Sequence, residues 1–212
     1  MNLADIRKEY SLKELDFEHV EQDPIKQFEK WFQEAVDAEV IEVNAMSLST
    51  VKTTGGATCR IVLLKGIENN SFVFYTNYSS NKGQEIEKDS GVCLNFFWRE
   101  LERQVRIEGM VEKISAEQSS AYFATRPKGS QMGAWASPQS EVIPNREVLE
   151  NNKAALEARY ADAEQLPRPD HWGGFILKPE LIEFWQGRKS RLHDRLQYRL
   201  IDGNWLRERL AP

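Results

Sequence analysis

The stretch from residue 42 to residue 113 constrains the fold more than any other part of the chain. It holds five short runs rich in Val, Ile, Phe and Tyr: Ala45–Val51, Arg60–Lys65, Ser71–Asn77, Gly91–Trp98 and Arg103–Lys113. Turn pairs, Gly55-Gly56 and Asn69-Asn70, break the series. Runs of strand length, separated by residues that tolerate tight turns, read as strands. With few helical patterns between them they predict an antiparallel sheet or barrel. One helix, Asn81–Lys88, is expected behind Ser79-Ser80, and two more near Ala116–Thr125 and Asn145–Tyr160.

The flanks complete this architecture. Asp23-Pro24 has the form of a helix start, an aspartate cap before a proline. Ile25, Phe28, Phe32 and Ala35 follow at helical spacing, widened by Trp31 and Val36. Leu166-Pro167-Arg168-Pro169 is a stiff connector, after which Phe175–Lys178, Leu181–Trp185, His193–Leu200 and Trp205–Leu210 look like returning strands. The expectation is one domain over residues 23–212, mainly β with peripheral helices, preceded by a flexible segment over residues 1–22.

Charge narrows the function classes. The 212 residues carry 28 Lys and Arg against 33 Asp and Glu, a net charge of −5. That balance argues against a nucleic-acid binder, which relies on a basic surplus. The charge is uneven: residues 181–212 hold seven basic and four acidic side chains, so the tail is positive and the rest strongly negative. No run approaches the roughly 18 apolar residues of a membrane helix. Met1 to Tyr10 lacks an apolar core, so no leader is expected. Cys59 and Cys93 have no paired spacing, which suits free thiols in the cytoplasm. His19, His171 and His193 are scattered, so no metal is expected.

Four constellations could serve anions, and each also has a plainer explanation. Arg60 and Lys65 bracket an apolar strand and would point to opposite faces, or merely meet water at strand ends. Tyr75-Thr76-Asn77 leads into Ser79-Ser80-Asn81-Lys82, a strand end followed by a helix start, which suits phosphate or ordinary capping. Tyr122, Arg126 and Ser130 could converge on one phosphate, or Arg126 could simply complement a helix C-terminus. In a strand, Arg191, His193 and Arg195 would share one face beside Trp185, as a binding wall or as a charged edge.

Several motifs occur in a fixed order: Arg60-Ile-Val-Leu-Leu-Lys65, Phe74-Tyr75-Thr76-Asn77, Leu101-Glu102-Arg103-Gln104-Val105 and Gly133-Ala134-Trp135 with Gln139-Ser140. Trp172-Gly173-Gly174-Phe175, Glu183-Phe184-Trp185-Gln186-Gly187, Arg191-Leu192-His193-Asp194-Arg195 and the terminal Arg209-Leu210-Ala211-Pro212 follow. In this set, from about Arg7 to Pro212, the chain resembles the pyridoxine/pyridoxamine 5′-phosphate oxidases. The resemblance implies an FMN-binding split β-barrel that works as a homodimer with FMN between subunits. It implies oxidation of pyridoxamine or pyridoxine 5′-phosphate to pyridoxal 5′-phosphate, with O2 as acceptor and H2O2 released.

Carried over, the FMN contacts would be Arg60, Ile61, Val62, Leu63, Leu64, Lys65, Tyr75, Thr76, Lys82, Gln104, Gln139, Ser140, Trp185 and Arg195. Substrate contacts would be Lys65, Tyr122, Arg126 and Ser130 at the phosphate, and Arg191 and His193, which would also be catalytic, at the pyridine ring. Arg7, Lys8, Glu9 and Tyr10 match a segment that can fold over the substrate. One departure stands out. Asn81-Lys82 replaces a common Arg-Lys, so FMN is expected to bind more weakly unless another cation compensates. The rival expectation is a split-barrel protein that holds flavin or pyridoxal phosphate without turnover, or a heme-handling or F420-dependent relative.

Overall fold

The computed structural model describes residues 2–3 and 9–212. Its centre is a curled antiparallel sheet of nine strands. These are β1 (Ala45–Val51), β2 (Ala57–Leu63), β3 (Gly66–Glu68), β4 (Ser71–Asn77), β5 (Gly91–Trp98), β6 (Arg103–Lys113), β7 (Trp172–Gln186), β8 (Asp194–Ile201) and β9 (Asn204–Leu210). The order is β2-β1-β5-β6-β7-β4-β3, with β8 and β9 added beyond β7. β7 explains the split form. Its first half lies between β6 and β4 and its second half between β6 and β8. The Lys65 amide, just past β2, donates to the Val73 carbonyl of β4, which brings the two ends of the sheet together.

Among the described residues five α-helices decorate it: α1 (Pro24–Asp37), α2 (Asn81–Lys88), α3 (Ala116–Thr125), α4 (Lys128–Ala136) and α5 (Glu147–Arg159). α1 starts as its sequence predicts. The Asp23 carboxylate accepts from the Ile25 amide, and Pro24 occupies the first turn, where an N–H would be unpaired anyway. Its buried face sets Phe28 against Phe72, Phe96 and Trp98, and Trp31 edge-on against Phe184. Each such ring contributes roughly 1.5–3 kcal/mol of burial. This contact fills the concave side of the sheet and makes the main core. A second, smaller core of Phe123, Met132, Leu166 and Trp172 lies under α3 and α4.

Three expectations are corrected. The two strands expected over Phe175–Lys178 and Leu181–Trp185 are one, because Pro179 falls at a bulge opposite Gly109, where the ladder shifts register and needs no proline N–H. β2 ends at Leu63 and does not reach Lys65. The strand expected from His193 begins at Asp194; Lys189–Arg191 form a short 3-10 turn in which Ser190 and Arg191 have φ of 55° and 61°. Arg191, His193 and Arg195 therefore do not alternate along one strand.

Candidate active site

The sheet's outer face carries the first group of residues. Ladder partners across antiparallel strands share a face. Gln104 of β6 faces Trp185 of β7, which faces Arg195 of β8, so three expected cofactor contacts form one cross-strand row. In the next row Arg106 faces Glu183. Glu183 is 2% exposed, and its two oxygens take Arg106 Nη2 at 2.6 Å and Arg195 Nε at 2.7 Å. Burial alone would raise the Glu183 carboxyl, but these two guanidiniums hold it below the usual carboxylate range. Ile61 and Leu63 of β2 lie on the same outer face, through Ser47 and Ala45 of β1.

The end of β4 and the start of α2 make the second group. Ser80 caps α2, its hydroxyl accepting from the Gly83 amide. Lys82 Nζ donates to Gln139 Oε1 at 2.8 Å, and Thr76 Oγ1 donates to the same oxygen at 3.3 Å. Three expected cofactor residues from distant parts of the chain thus meet. Burial, and then the charge of Arg60, push the Lys82 ammonium down to about 8. Arg60 itself is gripped by the Leu48 carbonyl, by the Thr50 and Thr58 hydroxyls, and by Glu85 at 2.9 Å. Arg60 and Asn81 line a cleft of about 380 Å³ together with Lys52, Thr58 and Glu85.

The third group is aromatic. Tyr75 stacks on Tyr122 at 3.8 Å between ring centroids and on Trp172 at 5.4 Å. The Arg126 guanidinium sits 4.6 Å from the Trp172 ring centre. Gly173 and Gly174 permit this packing: a Cβ on Gly174 would lie 2.5 Å from Ile114 and 2.9 Å from Tyr75, and one on Gly173 would strike the Tyr78 hydroxyl. Arg126 Nη1 is buried and, among the described residues, has no hydrogen-bond partner. Burial presses this guanidinium below its usual range, so an anion would be favoured beside it. Ser130 lies in the first turn of α4, exposed, after Pro127.

The fourth group closes the wall. The His193 ring lies 4.6 Å from Trp185, and its Nδ1 accepts the Arg188 amide at 3.1 Å. That bond assigns the ring proton to Nε2. Burial, then Arg191, lower the His193 pKa, so the ring is neutral at pH 7. Tyr10 packs edge-on against Trp185 at 5.8 Å and 6.0 Å from His193. Arg191 is exposed on the turn before β8, and Glu9 is exposed as well. Lys65 stands apart, on a cleft of about 700 Å³ beside Phe28, Phe32 and Ile67. Leu64 is buried, Val62 half-buried, and Ser140 exposed with φ of 74°. Arg7 and Lys8 lie outside the described residues.

Glu183, Glu85 and Trp172 do structural work here that no expectation assigned them. Glu183 and Trp172 stand within two of the quoted motifs. Glu85 carries no sequence signal, because its partners Thr50, Thr58 and Arg60 come from two other strands.

Comparison with known proteins adds the following. A family model described as pyridoxamine 5′-phosphate oxidase matches residues 32–160, and one described as the pyridoxine 5′-phosphate oxidase C-terminal dimerisation region matches residues 172–212. A pyridoxine/pyridoxamine 5′-phosphate oxidase of Salinibacter ruber is 55% identical over 99% of both chains. One from Actinobacillus pleuropneumoniae serotype 7 is 55% identical over the whole of both. Among solved structures, PhzG from Burkholderia lata 383, in complex with tetrahydrophenazine-1-carboxylic acid, superposes with a TM-score of 0.89 at 27% identity, covering 97% of this chain and 100% of that one.

Proposed function

The chain belongs to the pyridoxamine 5′-phosphate oxidase family of oxidoreductases, and from that premise we propose that it converts pyridoxamine or pyridoxine 5′-phosphate to pyridoxal 5′-phosphate, using FMN, with O2 as acceptor and H2O2 as product. The observation that carries this reading is Arg126. A buried guanidinium nitrogen without an acceptor, on an aromatic stack, asks for an anion. Arg126 packs on Trp172, which stacks on Tyr75, the β4 neighbour of Thr76 in the Thr76–Gln139–Lys82 cluster. Two anion sites suit a phosphorylated cofactor and a phosphorylated substrate. A protein that only carries flavin has no use for the second site.

The donor set fits FMN. Burial, and then repulsion from Arg60, lower Lys82, and a phosphate would offset both. The start of α2 adds unpaired N–H groups. Arg60 to Lys65, Tyr75, Thr76, Lys82, Gln139 and Ser140 would hold the cofactor, with Gln104, Trp185 and Arg195 from the outer row. When bound, FMN supplies the two-electron acceptor that takes hydride from C4′ of the substrate and passes the electrons to O2. The protein's part is placement. Tyr122, Arg126 and Ser130 would grip the substrate phosphate, remote binding energy that fixes C4′ for transfer. Arg191 would stabilise charge developing on the pyridine ring, and neutral His193 would donate from Nε2 to its polar substituents.

The homodimer belongs to the same proposal. The match to a dimerisation region over residues 172–212 supports it, as does the apolar outer face around Ile61 and Phe97. So does a cytoplasmic setting, supported by the free thiols of Cys59 and Cys93. No helix among the described residues is long and apolar enough to cross a membrane. The test is anaerobic addition of pyridoxamine 5′-phosphate to the yellow protein. Bleaching, reversed by air with release of H2O2, is expected. A colourless protein, or colour that does not bleach, overturns the proposal in favour of a binding module.

A further inference from the structure

Glu102 and Asp194, both within the quoted motifs, have no role in the proposed chemistry. Both turn their carboxylates toward the same segment. Glu102 is 3% exposed and follows the 3-10 turn Arg99–Leu101, with φ of 55°. Its Oε2 accepts the Ser11 amide at 2.7 Å and the Leu12 amide at 3.1 Å. Asp194, at the start of β8, accepts the Leu15 amide at 3.1 Å on Oδ2 and Arg209 Nη1 at 3.2 Å on Oδ1. Arg209 in turn donates to the Leu15 carbonyl and to Asp16. Glu14 pairs with Arg188 at 2.7 Å. The segment is thus held by its backbone at both ends of a cleft of about 570 Å³.

The same anchor fixes Tyr10. The Glu102 carbonyl accepts the Gly187 amide, so Glu102 is tied to the chain just beyond β7. Gly187 leaves the space Tyr10 occupies: a Cβ there would lie 2.7–2.9 Å from the tyrosine. Tyr10 consequently rests on Trp185 and His193. Hydrogen bonds to an ionised acceptor are roughly twice as strong as neutral ones. Tyr10 and the buried Leu15 supply apolar contacts at the two ends of the segment, and the carboxylates fix the backbone between and beside them.

We propose that Glu102 and Asp194 are positioning residues that seat residues 9–15 as a strap across the Trp185–His193 wall, and that this latch governs how tightly substrate is retained. The inference rests on the reading that this wall faces the substrate's pyridine ring.

The test uses the full-length protein loaded with FMN. Trypsin cleavage after Lys13, followed by mass spectrometry without substrate, reports docking of the strap, and steady-state kinetics with pyridoxamine 5′-phosphate report its effect. Glu102→Ala should raise both the cleavage rate and KM by about tenfold, with kcat within about twofold. Glu102→Gln keeps an acceptor oxygen and should restore most of both. Gly187→Ala leaves the carboxylates intact but displaces Tyr10, and should raise KM even if Glu102→Ala fails to fold. Unchanged cleavage in a folded Glu102→Ala protein, or an unchanged KM in Gly187→Ala, overturns the latch. Absence of turnover in the unmodified protein would instead sink the proposed reaction, while the cleavage assay would still decide whether the strap is held by these acids.

Discussion

At the scale of single residues, the site is a set of charges arranged so that an anion completes them. Lys82 shows this in its proton affinity. In the folded chain without a ligand it titrates near 8, because burial and Arg60 both disfavour its charge. A phosphate beside it raises that value again, so binding takes up a proton wherever free Lys82 is partly neutral. FMN affinity should therefore be flat below about pH 7.5 and weaken above about 8, by at most tenfold per unit. A fluorescence-quenching titration of FMN at several pH values measures it, and Lys82→Met should remove the dependence along with part of the affinity. The stability of the unliganded protein moves the other way. Because the unfolded chain holds the Lys82 proton up to about its ordinary 10.5, this residue's contribution to stability grows as pH rises from about 8 to that value.

At the scale of elements, close approach decides the geometry. The Tyr75–Tyr122–Trp172 stack exists because Gly173 and Gly174, directly after Trp172 in β7, let β4 and α3 press against it. Gly174→Ala should cost about 1–3 kcal/mol by overpacking, and lower the melting temperature by several degrees. Differential scanning calorimetry measures that loss; an unchanged melting temperature would show that Tyr75 and Ile114 can yield.

The elements also show what was legible beforehand. Runs rich in Val, Ile, Phe and Tyr between turn residues gave β1, β4, β5 and β6 with their observed bounds, and the serine and aspartate caps gave the starts of α1 and α2. α4 escaped prediction because Pro127, with no capping side chain, begins a helix of weak apolar pattern. The Ser190–Arg191 turn escaped because positive φ at non-glycine residues leaves no trace in composition. The cofactor cluster was legible as a motif list, but the meeting of Lys82, Thr76 and Gln139 depends on contacts 57 and 63 residues apart, which no local pattern encodes.

At the scale of the whole molecule, one face of the sheet is covered and the other is not. α1 fills the concave side, whereas the outer side leaves Ile61 66% exposed, Phe97 52%, Met110 44% and Leu63 38%. Single exposed apolar residues are ordinary, but a contiguous patch marks an interface. Ile61 joins Ser47, Asn95, Arg106 and Glu183 in one cross-strand row, and Glu183 grips Arg195 of the next row. If two chains meet there, assembly and cofactor binding are a single equilibrium: FMN contacts from the outer row are complete only in the pair. Ile61→Asp would place a carboxylate in the middle of that contact on both partners. It should shift the sedimentation profile to the monomer mass and weaken FMN binding by at least tenfold, although the folded core is untouched because Ile61 faces outward. A dimer of unchanged affinity in that variant would move the interface elsewhere. A monomer that still binds FMN as tightly would show that the outer row does not need its partner.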